Sequence, residues 1–228
     1  MSESHLIEFI ATKPNDEDPL ERMIFLKKVF GVLALQLIIS FGIMTLFIFV
    51  KDFEILAQHM LHCGPWIIIV VLLTTASVLF CGKNIRQNIA ITVILSVLLT
   101  LSYSSLLGLL AAILDPLTVL VNILVAGLLI GLTTLIWRIF RFNVPNEVVI
   151  ISAVLYFVFT IVAFVFPGEI IFGFYSSCGV LLFLSHLLYD LQFIIGDKKE
   201  EIFQKEYVFT ALILYIEISC VLVIILGT

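Results

Sequence analysis

Apolar residues gather along this chain into seven long runs, each punctuated by charge, Gly or Pro, at about residues 29–50, 66–81, 89–114, 118–139, 148–166, 170–195 and 207–226. A helix crosses the hydrocarbon of a bilayer with about 20 apolar residues, so each run has the length of a membrane span. The second is short, and the third and fourth are parted only by the tight turn Leu114, Asp115, Pro116. The pattern predicts an all-α integral membrane protein, a bundle of seven transmembrane helices. Residues 1–24 are expected to form an acidic, flexible cytosolic tail, and residues 25–228 a single transmembrane domain.

Composition agrees with that picture, since 62% of the 228 residues are hydrophobic and 13% charged, against roughly 45–50% and about 25% in soluble domains. The net charge of −5 is local to the tail. Six acids (Glu3, Glu8, Asp16, Glu17, Asp18, Glu21) face one base, Lys13, in the first 21 residues, and the other 11 acids balance 11 bases. No electrostatic case for a nucleic-acid partner follows. With the N-terminus in the cytosol, 11 of the 12 bases fall on the inside, including Lys83, Arg86, Arg138, Arg141, Lys198, Lys199 and Lys205, and only Lys51 falls outside. That asymmetry predicts the N-terminus inside and the C-terminus outside. Six spans with one re-entrant segment would return the C-terminus to the inside, and this alternative stays open. The polar, acidic start carries no cleavable signal peptide, so the first span is expected to act as the insertion signal.

Two carboxylates fall within spans, Asp190 in the sixth and Glu217 in the seventh. A central acid costs roughly 2.5–3.5 kcal/mol to insert, so such groups face the bundle interior or a wet cavity and mark ion or proton sites, or else hold helices together as structural hydrogen-bonding acids. Asp190 stands six residues before Gly196 and Glu217 eleven after Glu206, depths of about 9 and 16 Å at 1.5 Å per residue. The offset of about 7 Å is large for a direct contact but within what tilt and helix ends absorb. Were the two to touch, both could not ionise cheaply, and one proton would be shared in a coupled titration. The deprotonated pair would offer oxygens to a hard cation such as Ca²⁺. The protonated pair would form a neutral latch. His186, four residues before Asp190, shares its helical face and is a candidate third member of the titrating site, or else a satisfied structural histidine.

Other chemistry is sparse. Cys63, Cys81, Cys178 and Cys220 have no CxxC or zinc spacing and read as buried free thiols. His59 and His62 have no third ligand nearby and read as a solvated loop. The chain holds no GxSxG or HExxH motif, and Ser185 beside His186 faces elsewhere on a helix, so no enzyme and no cofactor is expected. Ser102, Tyr103, Ser104 and Ser105 could line a water path or bond to neighbouring helices, and Gln36 is equally open.

The run YDLQFIIGDKK at 189–199, the run EYVFTALILYIEI at 206–218 and the opening RMIFLKKVFGVLALQL at 22–37 resemble the motifs of the Bax inhibitor or lifeguard family, in the form of its lifeguard and Golgi anti-apoptotic members. The resemblance covers about residues 22–226, specific at its two ends and a hydrophobic pattern between them. It implies a seven-helix bundle around a central last helix, a pH-dependent leak of calcium ions from stores, and suppression of cell death. By position Asp190 and Glu217 match the family's gating acids, although the second is usually Asp there, and Glu217 adds a methylene of reach. His186 stands where lifeguard-like members tend to carry an apolar residue. The basic residue that some members place near the acids has Lys83 and Arg86 as its candidates. The resemblance leaves open the Golgi, the endoplasmic reticulum or the plasma membrane. It also leaves open a viral copy of a host protein, and a non-conducting adaptor that binds membrane-protein partners in cell-death signalling.

Overall fold

The computed structural model describes residues 19–53, 55, 69, 73, 88–140, 145, 147, 148, 150–152, 154, 155, 158, 161, 168–195 and 206–227. Among these residues all regular structure is helical, in five continuous helices: α1 (Pro19–Phe49), α2 (Ile89–Ala112), α3 (Pro116–Phe140), α4 (Glu169–Ile195) and α5 (Tyr207–Leu226). All five are long and apolar enough to cross a membrane. They correspond to the first, third, fourth, sixth and seventh runs of the sequence. Of the second run only Ile69 and Leu73 are described, and of the fifth only scattered positions between 148 and 161, all helical. The chain is thus an all-α, multi-pass membrane protein.

Helix ends follow local chemistry more than hydropathy. α1 begins at Pro19, well ahead of the apolar run at residue 29. Its 31 residues extend about 46 Å, more than the roughly 30 Å of hydrocarbon. Hydropathy marks where the lipid begins, whereas backbone hydrogen bonding continues into the polar stretch beyond it. The turn between α2 and α3 is an N-cap. The Asp115 carboxylate accepts from the Leu117 N–H at 3.2 Å, its carbonyl accepts from the Val119 N–H at 3.1 Å, and Pro116 opens the helix where no N–H is needed. Asp115→Ala is expected to cost about 1 kcal/mol, read as a lower unfolding midpoint in detergent with function retained.

α5 is the axis of the assembly. It packs against α1, α2, α3 and α4, while α1 packs on α2 and α3 on α4. Ala211, Leu212, Tyr215 and Val221 of α5 are completely enclosed. The central last helix implied by the family resemblance is therefore present. Leu35 and Ile38 of α1 and Leu124 and Leu128 of α3 are exposed, as suits side chains whose solvent is lipid.

The interior divides into two apolar clusters along α5. One joins Val29 and Leu33 of α1, Leu99 of α2, and Leu187, Leu191 and Ile194 of α4 to Phe209, Ala211, Leu212 and Leu214. The other joins Met44, Leu107, Ala111, Val119, Ala126 and Leu184 to Val221, Leu222 and Leu226. Late α4 residues meet early α5 residues and the reverse, so α4 and α5 run antiparallel. At the level where the clusters meet, polar groups concentrate, and that layer holds the candidate site.

Candidate functional site: an acid pair and a hydroxyl cluster around one helix

The carboxyl groups of Asp190 and Glu217 are hydrogen-bonded to each other. The structure thus brings together the two intramembrane acids that helical rise alone set about 7 Å apart in depth. Side-chain direction explains how the offset closes. Cα–Cβ bonds tilt toward a helix N-terminus. On antiparallel helices Asp190 therefore leans away from the C-terminal end of α4, and Glu217 leans back toward the start of α5. The tilts converge, and the extra methylene of Glu217 adds reach.

An ionised carboxylate only accepts hydrogen bonds, so a bond between two carboxyl groups requires a proton on one of them. Glu217 is buried, and among the described residues its second oxygen, Oε2, has no hydrogen-bond partner. It also interacts electrostatically with Cys220, one turn further along α5, and the Cys220 thiol contacts the Tyr103 hydroxyl of α2 at 3.7 Å. His186 is half-buried on α4, its ring against Phe183 with centroids 6.4 Å apart. Its membership of the acid site rests on the helical repeat. Gln192, two residues after Asp190, is buried. Among the described residues no three His, Cys, Asp or Glu side chains cluster as a metal site would need. Lys83, Arg86, His59, His62, Cys63 and Cys81 lie outside the described residues.

The opposite side of α5 carries a second polar group, of which the sequence singled out Gln36, Tyr103 and Ser104 but not Ser40, Ser96, Thr100 or Tyr215. Gln36 and Ser40 of α1 lie four residues apart on one face, as do Ser96, Thr100 and Ser104 of α2, and these two faces meet. Gln36 Nε2 donates to Ser96 Oγ at 2.9 Å and to Thr100 Oγ1 at 3.1 Å. Ser40 Oγ lies 2.8 Å from Ser104 Oγ and 2.6 Å from the hydroxyl of Tyr215, which also reaches the Thr100 carbonyl at 3.3 Å. Tyr103 stacks edge-on against the Tyr215 ring, with centroids 6.2 Å apart. Of the serine cluster in the third span, only Ser104 is fully buried. Ser102 and Ser105 donate to carbonyls of their own helix, those of Leu98 and Leu101. The signal available in the sequence was the i, i+4, i+8 spacing of Ser96, Thr100 and Ser104, which a helix places in one stripe.

Comparison with known proteins bears on the same residues. A family model described as "Inhibitor of apoptosis-promoting Bax1" matches residues 22–227, a range that contains both acids and the whole hydroxyl cluster. The human protein named "Protein lifeguard 3" is 21% identical over 211 residues, which cover 89% of this chain and 67% of that protein. No solved structure matches the chain. A family match over nearly the full length, on an all-α bundle with a central last helix, identifies the chain as a member of the Bax inhibitor family.

Proposed function

We propose that this protein is a pH-sensitive leak channel for calcium ions in an intracellular membrane, gated by the Asp190–Glu217 pair, and that the leak is how it inhibits apoptosis. Family membership supports an anti-apoptotic membrane protein. The observation that carries the finer reading is the hydrogen bond between two carboxyl groups deep in the bundle. Such a bond holds α4 to α5 only while a proton is present, and its loss turns a neutral latch into a pair of oxygen ligands. Two carboxylates with no third His, Cys, Asp or Glu clustered beside them among the described residues make a shallow site for a hard cation. A channel needs that, because an ion held by a full ligand cage would not leave. With the N-terminus in the cytosol, as the placement of bases predicts, the pair lies in the cytosolic half of the bilayer.

The sign of the pH effect follows from the latch. Protonation closes it, so the leak is expected to be small in acid and to rise as pH rises. Asp190→Asn and Glu217→Gln remove the charge and keep the hydrogen-bonding capacity. Each is expected to lower the leak about tenfold at alkaline pH, equivalent to ~1.4 kcal/mol, and to flatten its pH dependence. The measurement is calcium flux from dye-loaded proteoliposomes. Wild-type flux and pH dependence in both variants, or no flux in the wild type, would leave the acids a structural contact and the protein an adaptor.

A further inference from the structure

We propose that the buried hydroxyl cluster of Ser40, Ser104 and Tyr215 is a second lock on α5, which sets the rotation of that helix and thereby the geometry in which Glu217 meets Asp190. Tyr215 and Glu217 are two residues apart, about 200° around a helix. Each is held by a different part of the bundle: Tyr215 by Ser40 of α1 and by Ser104 and the Thr100 carbonyl of α2, Glu217 by Asp190 of α4. α5 is thus clamped by polar contacts on opposite faces. Beyond these contacts the surface of α5 is mostly apolar, with Thr210, Ser219 and Cys220 as its other interior polar side chains, and apolar packing specifies a rotation less sharply than two polar clamps do.

The clamp is mechanically tight on the tyrosine side. The Tyr215 ring is fully enclosed, and its hydroxyl sits 2.6 Å from Ser40 Oγ. A turn of α5 that separates Glu217 from Asp190 must therefore carry the Tyr215 hydroxyl away from Ser40. Opening at one face breaks the other. The hydroxyl cluster sets the conditions under which the acid pair parts, and Tyr215 is a positioning residue for the acids. The titratable and charged groups in this surrounding, among the described residues, are Asp190 and His186 on α4, Tyr103 on α2 and Cys220 on α5. α1 contributes Gln36 and Ser40, which do not titrate, with Lys28 over the Tyr207 ring near the start of α5, 5.6 Å from its centroid. The groups of α3 that reach α5 include Asn122, whose amide donates to the Ile225 carbonyl at 3.3 Å.

This inference rests on the proposed leak for its physiological meaning, but its test does not. Tyr215→Phe removes one hydroxyl and keeps the ring. Ser40→Ala removes its partner without touching α5. The infrared carbonyl band of the protonated carboxyl pair, assigned by its loss in Glu217→Gln, reports the hydrogen bond directly in protein that need conduct nothing. Both variants are expected to move that band to a new frequency. They are also expected to shift the pH midpoint at which it disappears by about half a unit, the scale of one lost hydrogen bond partly transmitted. Should Tyr215→Phe fail to fold, Ser40→Ala decides by the same readout. An unmoved band and an unchanged midpoint in folded protein would overturn the proposal. A moved band together with no calcium flux in any variant would end the leak reading and leave the lock standing.

Discussion

Tyr215→Ala is expected to be the most damaging single truncation in the bundle, with a loss of about 3–5 kcal/mol. The ring is completely buried and packs edge-on against Tyr103, and its removal opens a cavity that five helices cannot close without giving up their other contacts. The driving force for helix association in lipid is packing and hydrogen bonding, since tails are as apolar as leucine. A cavity on the central axis therefore removes what holds α1 and α2 to α5. The loss of the hydroxyl adds to it by withdrawing the closest partner of Ser40. Comparison with Tyr215→Phe separates the two parts, because the phenylalanine variant forfeits only the hydrogen bonds, about 1 kcal/mol. Detergent-titration unfolding followed by circular dichroism measures both. A loss in Tyr215→Ala no larger than in Tyr215→Phe would show that the ring is not load-carrying packing.

The second large effect is expected at Gly108 on α2. A Cβ there would lie 2.6 Å from Cδ2 and 2.9 Å from Cγ of Phe47, closer than side-chain carbons approach. The obstruction is the root of an aromatic ring, which cannot swing aside as a flexible tip would. Gly108→Val or Gly108→Leu must push α1 from α2 at the end of the bundle where Met44 and Leu107 pack. Overpacking of this kind costs about 1–3 kcal/mol. The same substitution at Gly127 or Gly131 of α3, where among the described residues a Cβ meets nothing within 4 Å, is expected to be tolerated. Thermal unfolding of the three variants in parallel checks the contrast. A double variant Phe47→Ala, Gly108→Val that recovers stability relative to Gly108→Val alone would place the strain at that pair.

The acid pair shows why a one-dimensional reading reaches a candidate site without its geometry. An intramembrane acid stands out because lipid makes it expensive, so Asp190 and Glu217 were conspicuous wherever they packed. Their separation, judged from helical rise, was overestimated because rise locates Cα atoms, and the side chains of antiparallel helices lean toward each other from there. The hydroxyl cluster was harder to read. A serine or threonine in a span can satisfy itself on its own helix, as Ser102 and Ser105 do, so its presence carries no information about neighbours. Tyr215 looked like one aromatic among 12% aromatic residues. The start of α1 was placed late for another reason, because the hydrophobic run measures the lipid and the helix outlasts it.

What the sequence by itself determined is what depends on lipid acting as solvent: that the chain is helical, how many apolar runs it has, where they turn at Asp115 and Pro116, and which acids lie within them. Backbone groups must pair inside hydrocarbon, and only the helix does that within one segment. What only the tertiary structure decided is the rotation of each helix about its axis. Apart from isolated polar positions and the stripe of Ser96, Thr100 and Ser104, the spans are apolar on every side, so the period that orients a soluble helix carries little phase here. Packing chose the faces instead, placing α5 at the centre with Glu217 toward α4 and Tyr215 toward α1 and α2. The candidate site follows from that choice of rotation.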